Sequence, residues 1–336
     1  MLNPDISIDF GSWGLRMILK GRGIVINEPS ILAARDRKVV AIGREAKRMT
    51  GRTGPQLTLK NPFAYGRVAD YPMADHMVTA YIKRISTGKV FLPNACISMS
   101  SGLTEVERRA LQDIVETAGI RKINFVAETA AALLGAGADP FNNSASVIAD
   151  FGASKTSIAA YSGGNVLAEK TLRVGGNDMD TAIIRMIKKK FNVEIGPLTA
   201  EEMKLQIGCA SPMGKLTACS VRGRDVRTNL PKSITVTSDD MVECLAGICA
   251  EIVEAIIDVL ADLPIAALQD VAKTGITLTG GVSRLNGLDE LIRRRTKLDT
   301  FIPERPELAV VNGVAIASDL LNRSARKTAA VISAAE

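Results

Sequence analysis

Two aspartates in this chain, Asp9 and Asp150, each open the tripeptide Asp-Phe-Gly at the end of a short β-like run. The first run is Ile6-Ser7-Ile8 and leads through Asp9-Phe10-Gly11-Ser12. The second is Val147-Ile148-Ala149 and leads through Asp150-Phe151-Gly152-Ala153-Ser154. Each small-residue turn is followed by a second β-like run, Leu15 to Leu19 and Thr156 to Ala160. A strand, an aspartate, a tight turn and a returning strand make a hairpin whose backbone amides can face a phosphate, with a carboxylate beside it for a metal ion. Two such hairpins predict two related halves closing on one nucleotide.

The elements around the hairpins predict an α/β fold, because strands alternate with helices along the chain. Residues 31–65 hold β-like pieces at Lys38 to Ile42 and Leu57 to Lys60, with a helical Arg44 to Met49 between them, and read as a small insertion. Ser100 to Gly119 reads as a helix, with a Thr104/Glu107 capping box, a stripe of Val106, Ala110, Ile114 and Val115, and Gly119 as its end. Beyond the second hairpin, Val166 to Arg173 reads as a strand and Met179 to Phe191 and Thr199 to Cys209 as helices. Strands at Leu216 to Val221 and Ser233 to Thr237 precede a long helix from Ser238 to Leu263. Gly275 to Thr279 reads as a buried strand reaching Gly280-Gly281, with a helix from Leu285. The last residues, Ala325 to Glu336, read as frayed or as a weak amphipathic helix.

At 336 residues the chain can bury a large core and is expected to split into two domains. Its 4% aromatic content, with one tryptophan, argues against a sugar-binding or single-stranded nucleic-acid platform, which needs stacking faces. No apolar run reaches the ~18 residues of a membrane span, and the start of the chain enters a strand without a signal-peptide pattern. The cysteines (Cys96, Cys209, Cys219, Cys244 and Cys249) are odd in number and scattered. That spacing predicts free buried thiols in a reducing compartment rather than a metal site. The net charge of +6 is spread over Arg35 to Lys38, Lys188 to Lys190 and Arg293 to Lys297, and by itself selects no partner.

Asp-Phe-Gly also occurs in protein kinases, but the accompanying Gly-rich loop, Val-Ala-Ile-Lys strand and His-Arg-Asp loop are missing, and the one histidine is His76. Neither a Gly-x-x-x-x-Gly-Lys-Ser/Thr loop nor a Gly-x-Gly-x-x-Gly fingerprint is present. A single hairpin of this kind is more often a plain turn. The second copy, the Gly280-Gly281 turn, and Glu128 after the strand-like Ile123 to Ala127 together favour a site.

This set resembles the actin-like ATPase superfamily and, within it, the MreB/Mbl family of bacterial actin homologues. The likeness runs over nearly the whole chain, through Gly21 to Ser30, Ile42 to Met49, Ser101 to Ala110, Arg173 to Gly176, Thr199 to Lys204 and Val221 to Asp225. The resemblance implies an actin-like ATPase fold of two domains, each with a ribonuclease-H-like core and a smaller inserted subdomain. The implied division is 1–31, 66–145 and 306–336 (IA), 32–65 (IB), 146–180 and 241–305 (IIA), and 181–240 (IIB). It further implies ATP or ADP with Mg²⁺ in the cleft, and filaments.

By position, Asp9, Gly11, Ser12, Trp13 and Gly14 are similar to the first phosphate loop, and Asp150, Gly152, Ala153, Ser154, Lys155 and Thr156 to the second. Asp9 and Asp150 would hold the hydrated Mg²⁺, with Asp150 and Glu128 as the catalytic pair and Glu128 orienting the attacking water. Gly280, Gly281 and Val282, after Thr279, would lie under the adenosine. Glu201 and Lys204 match residues at the adenine and ribose, or form an exposed ion pair.

The chain departs from the family pattern at both turns. Ser12-Trp13-Gly14 stands where the family has Thr-Ala-Asn, and Ala153 and Ser154 replace glycines where the backbone would approach phosphate or take φ > 0. Ser157 replaces an acidic side chain near the expected water. Arg16 and Lys155 add positive charge that contacts phosphate or points to solvent, Arg16 being the better candidate. Nucleotide binding is expected to persist, with hydrolysis slow, altered or lost. Val90, Phe91 and Leu92, beside Lys83, Arg84 and Lys89, fall where relatives carry a membrane-insertion loop. The alternative is the start of a buried strand before Pro93.

The leading expectation is a cytoplasmic filament of this chain, alone or with a paralogue, at the inner face of the membrane. There it would organise cell shape or wall synthesis, engaging anionic lipid and the wall machinery but not nucleic acid. The alternatives are a monomeric ATPase or sugar kinase of the same superfamily and a nucleotide-locked scaffold that does not hydrolyse. A substrate-binding chaperone is disfavoured because no further domain follows about residue 322.

Overall fold

The computed structural model describes residues 6–36, 38–51, 54, 56–86, 94–212, 214 and 216–333, with side chains to residue 322. They fall into two units, Met1–Asp139 with Glu307–Glu336, and Pro140–Pro306.

In the first unit the leading apolar run is strand β1 (Ile6–Phe10), buried along its length. β2 (Gly14–Leu19) pairs antiparallel with it and with β3 (Gly23–Pro29). The insertion contains the two expected strands, β5 (Lys38–Ile42) and β6 (Leu57–Lys60), and helix α1 (Arg44–Arg48). Strand β4 (Leu32–Arg35), not apparent in the sequence, lies between β5 and β6, and Ala33, Ala41 and Ala46 form a small core there. A short ribbon, β7 (Phe63–Ala64) and β8 (Arg67–Val68), leads to helix α2 (Tyr71–Ile85). β9 (Asn94–Met99), α3 (Glu105–Thr117), β10 (Lys122–Ala127) and α4 (Glu128–Gly135) follow. The main sheet has the order β10-β9-β1-β2-β3, with β9 parallel to both β1 and β10.

The Thr104/Glu107 capping box starts α3 as expected. Its apolar stripe differs from the one read above: Val106 is 79% exposed, while Leu111, Ile114 and Val115 are buried. At 100° per residue Val106 lies about 140° around the helix from Leu111, so it cannot share that face.

In the second unit β11 (Ser146–Phe151), β12 (Thr156–Ser162) and β13 (Asn165–Leu172) form the same antiparallel meander. Helix α5 (Gly176–Phe191), β14 (Val193–Glu194), α6 (Pro197–Ile207), β15 (Ala218–Asp225) and β16 (Pro231–Thr237) come next. The long helix read from Ser238 to Leu263 is α7 (Ser238–Ala261), and a further helix not read in the sequence, α8 (Ile265–Thr274), follows it. Pro264 flanks the start of α8, where its fixed φ favours helix initiation and its missing N–H costs nothing. β17 (Ile276–Thr279) ends in a 3₁₀ turn, Gly281–Arg284, so the next helix, α9 (Leu288–Thr296), starts later than Leu285. β18 (Thr300–Phe301) completes the sheet order β13-β12-β11-β17-β18, with β17 parallel to β11 and β18.

The two main sheets therefore share one topology: a three-stranded meander with two parallel strands added beside its first strand. The duplication seen at Asp-Phe-Gly extends through five strands of each sheet.

The first unit is completed by a helix from Ala309 to Ser333, against which α4 packs. Gly135 and Gly313 let the two backbones meet. A Cβ on Gly135 would stand 1.8 Å from the Ala309 carbonyl oxygen, and one on Gly313 would stand 1.6 Å from that of Ala131. This crossing fixes α4, whose first residue is Glu128. Gly313→Ala should lower the stability of this unit by about 1–3 kcal/mol, the usual cost of overpacking, measured as a shift in urea midpoint at unchanged slope.

Candidate functional site

Asp9 and Asp150 occupy the same place in their sheets, one residue before the end of the first strand, and both are buried. Their hairpins have identical register. Asp9 lies opposite Arg16 and Phe10 opposite Leu15; Asp150 lies opposite Ser157 and Phe151 opposite Thr156. In each case a hydroxyl from the adjacent parallel strand holds the carboxylate. Ser98 Oγ of β9 donates to Asp9 Oδ1 at 3.0 Å, and Thr279 Oγ1 of β17 donates to Asp150 Oδ1 at 2.7 Å. The sequence does not reveal Ser98 as such an anchor, because its partner lies on a strand far away in the chain.

The first hairpin gathers Asp9, Arg16 and Glu128 at the carboxyl ends of β1 and β10, where open α/β sheets commonly hold ligands. Arg16 Nη1 meets Asp9 Oδ2 at 3.1 Å, and both side chains are nearly buried. This removes the alternative in which Arg16 points to solvent. Burial pushes the Asp9 carboxyl above its ordinary value. Arg16 pulls it back, the Glu128 charge raises it further, and the Ser98 hydrogen bond lowers it. Glu128 thus belongs electrostatically to the same cluster.

The turn between β1 and β2 is tied down through its carbonyls. Ser30 Oγ donates to the Gly11 oxygen at 2.7 Å, Asn61 Nδ2 to that of Ser12, and the Ser30 N–H to that of Trp13 at 3.0 Å. Because a trans peptide sets C=O and the following N–H on opposite sides, the Ser12, Trp13 and Gly14 amides point away from these donors. Trp13 is 44% exposed, with the Arg16 guanidinium 5.8 Å and Lys47 Nζ 5.1 Å from its ring centroid.

The second turn is built the same way from different donors. The N–H groups of Gly176 and Asn177, at the start of α5, donate to the carbonyls of Gly152 (3.1 Å) and Ala153 (2.7 Å). The amides of Ala153 and Ser154 are thereby turned away from α5. Thr156 Oγ1 donates to the Val174 oxygen at 2.9 Å, locking the hairpin to the approach to α5. Contact this close requires glycine at 175, where a Cβ would lie 2.7 Å from the Ala153 carbonyl. The glycine replacements are not strained: the non-glycine residues with positive φ among those described are Asp36, Tyr65, Asn192, Asn229 and Lys297, so neither Ala153 nor Ser154 is one. Lys155 is buried, which excludes its pointing to solvent.

Three further segments join this turn. Gly280 takes φ +80°, and a Cβ there would stand 2.3 Å from the Phe151 oxygen. Val282 reaches Gly176, with 3.2 Å between its Cγ2 and a Cβ placed there. Gly281 borders open space. Lys204 Nζ donates to the Gly176 oxygen at 2.8 Å and pairs with Asp180 Oδ1 at 2.7 Å. Lys204 therefore serves as a brace between α6 and α5, not as an exposed pair with Glu201, which lies one turn earlier on α6 and is half-buried. Asp180, unremarked in the sequence, is the residue that holds it.

Val90, Phe91 and Leu92 lie outside the described residues. The cysteines are free, and burial pushes the Cys249 thiol up to about 12 and Cys244 to about 11, so neither is a nucleophile near neutral pH. Among the described residues no group of three His, Cys, Asp or Glu side chains could hold a metal by itself, and no helix is long and apolar enough to cross a membrane.

The chain as a whole is similar to known proteins. The MreB/Mbl protein family model matches residues 3–326. The chain belongs to the MreB/Mbl family. It is 32% identical to the cell shape-determining protein Mbl of Bacillus subtilis over 326 residues, covering 96% of this chain and 98% of that protein. It is also 32% identical to the cell shape-determining protein MreB of Escherichia coli over 330 residues, covering 96% and 95%. Among solved structures, MreB5 of Spiroplasma citri bound to ADP matches with a TM-score of 0.93 at 27% identity, over 97% of this chain and 99% of that one. A MamK double helical filament matches at TM-score 0.79 and 18% identity, over 94% and 98%, and supports the fold. The fold is thus the actin-like α/β fold expected of the MreB/Mbl family.

Gly280→Ala should cost about 2–4 kcal/mol, combining a left-handed backbone with a clash against Phe151. Gly281→Ala, whose Cβ meets open space, should stay within about 0.5 kcal/mol of the parent. Chemical denaturation of the two variants side by side separates these outcomes.

Proposed function

We propose that this chain is an ATP-binding, filament-forming actin-like cytoskeletal protein. It acts at the cytoplasmic face of the membrane in cell-shape determination or wall-synthesis organisation, and hydrolyses ATP slowly. The observation that carries this reading is the repeated frame of buried aspartate, hydroxyl anchor and carbonyl-tied turn within a member of the MreB/Mbl family. MreB5 of Spiroplasma citri, which shares the fold, has been solved with ADP and with AMPPNP.

In this reading the first turn, Gly11 to Gly14, and the second, Gly152 to Thr156, direct amides toward phosphate oxygens, as anion-binding turns do. Arg16 supplies a charge-assisted contact and Lys155 a second positive charge. Gly280, Gly281 and Val282 border the nucleoside, with Glu201 on the neighbouring helix, and Gly281 lies where open space leaves room for it. Asp150, oriented by Thr279, fits a hydrated Mg²⁺ held through water, an ion that would neutralise phosphate charge. Asp9 fits one poorly, because a guanidinium already stands at its Oδ2. Glu128, at the start of α4, orients water for attack. Ser157, whose hydroxyl is buried and has no partner among the described residues, takes the place of a second acid, which supports slow turnover.

Residues 32–65 and 181–240 are read as the small inserted subdomains IB and IIB, on the larger IA (1–31, 66–145, 306–336) and IIA (146–180, 241–305). Membrane contact is assigned to Val90, Phe91 and Leu92 on the strength of their sequence and of the exposed Lys83 and Arg84 at the end of α2. The partners are further copies of this chain or a paralogue, anionic lipid and the wall machinery.

Purified protein should sediment with ATP, and with anionic but not neutral vesicles; Val90→Ser, Phe91→Ser and Leu92→Ser together should abolish vesicle binding alone. Protein that stays monomeric with ATP across salt and concentration overturns the filament reading. Glu128→Gln should lower phosphate release by about a hundredfold while nucleotide affinity, followed by calorimetry, changes little.

A further inference from the structure

The two hairpins are superposable in register, yet opposite the aspartate one carries arginine and the other serine. In the first hairpin both carboxylate oxygens of Asp9 are occupied, Oδ1 by Ser98 and Oδ2 by Arg16. A dication approaching Oδ2 would meet a fixed positive charge 3.1 Å from the atom it must bind, a like-charge contact with little solvent to screen it. Arg16 meanwhile is not spent. Its Nε is buried and has no hydrogen-bond partner among the described residues. A buried N–H donor without a partner is costly, and the guanidinium is a planar fork that can hold a carboxylate on one side and a phosphate on another. It stands beside the turn whose Gly11 and Ser12 carbonyls are held by Ser30 and Asn61, where a bound anion would meet that donor.

We propose that Arg16 takes the place of a divalent cation at the first hairpin: its guanidinium neutralises Asp9 and offers its remaining N–H groups to the phosphates of a nucleoside diphosphate or triphosphate, so that binding requires no metal. The inference rests on the nucleotide reading above and goes beyond it by assigning to a side chain the charge that an ion would bring. Glu128 remains beside the pair as the acid of the cluster. At the second hairpin Ser157 stands at the matching position, and an ion there would serve later steps rather than affinity.

The test is calorimetric titration of the full-length protein with ADP and with ATP, in Mg²⁺ and in EDTA. The chain's one tryptophan, Trp13, provides a second readout, because Arg16 lies over its ring. The expected result is affinities in the two buffers within about threefold of each other, with a Trp13 fluorescence change in both. Arg16→Met should lose about tenfold or more in EDTA, the scale of one charge-assisted hydrogen bond, and regain part of it in Mg²⁺ once Asp9 is freed. Arg16→Lys should bind more weakly than the parent but remain indifferent to Mg²⁺. Parent protein that loses tenfold or more in EDTA overturns the proposal, as does Arg16→Met that binds like the parent without metal. If Arg16→Met does not fold, the parent comparison decides by itself. Absence of binding in both buffers instead overturns the nucleotide reading, and the inference with it.

Discussion

Everything in the candidate site follows from burying a carboxylate one residue short of the end of a central strand. An ionised group in that position is expensive unless hydrogen bonds and charge compensate it. The neighbouring parallel strand supplies the hydrogen bond in both sheets, Ser98 to Asp9 and Thr279 to Asp150. At Asp9 burial still prevails, and the proton is held more tightly than in the unfolded chain, whose ordinary value is 3.8. A group raised in this way stabilises the fold below that value and loses its contribution as pH rises through the raised one. As that contribution is lost, the buried carboxylate depends on Arg16 and Ser98 for compensation.

Backbone contact is the second constraint, and it explains where glycine cannot be replaced. Gly175 allows the start of α5 to cap the carbonyls of the second turn, Gly280 allows the end of β17 to touch Phe151, and Gly135 and Gly313 allow α4 to lie on its neighbouring helix. In each case main chain meets main chain, so a methyl group has no flexible partner to displace. The turn residues Ala153 and Ser154 are different. Neither takes positive φ, so the backbone there does not require glycine.

Much of this was legible in the sequence where the signal is local. The paired hairpins, the Thr104 cap, the insertion strands β5 and β6, and the strand before Gly280 all stand close to where periodicity and turn residues place them. What escaped was set by partners distant in the chain. Ser98 and Asp180 acquire their roles through residues on other strands or helices. The run Ala309 to Asn322 reads poorly as a helix because Val310, Val311 and Gly313 lower its propensity, yet packing against α4 makes it one. Val106 was misplaced because a four-residue step drifts around the helix, whereas Leu111, Ile114 and Val115 keep to one face.

The duplication gives the clearest view of how such a site diverges. Because the two hairpins agree in register residue for residue, any difference between them arises from side chains and not from the frame. The frame fixes an aspartate, a hydroxyl and outward amides in both sheets. What stands opposite the aspartate is free to vary, because its side chain, unlike its backbone, takes no part in the ladder that holds the sheet. An arginine there makes a self-contained ion pair with a donor to spare; a serine leaves a small buried hydroxyl. One scaffold can thus carry a charge in one copy and a neutral hydroxyl in the other, through a single residue in each.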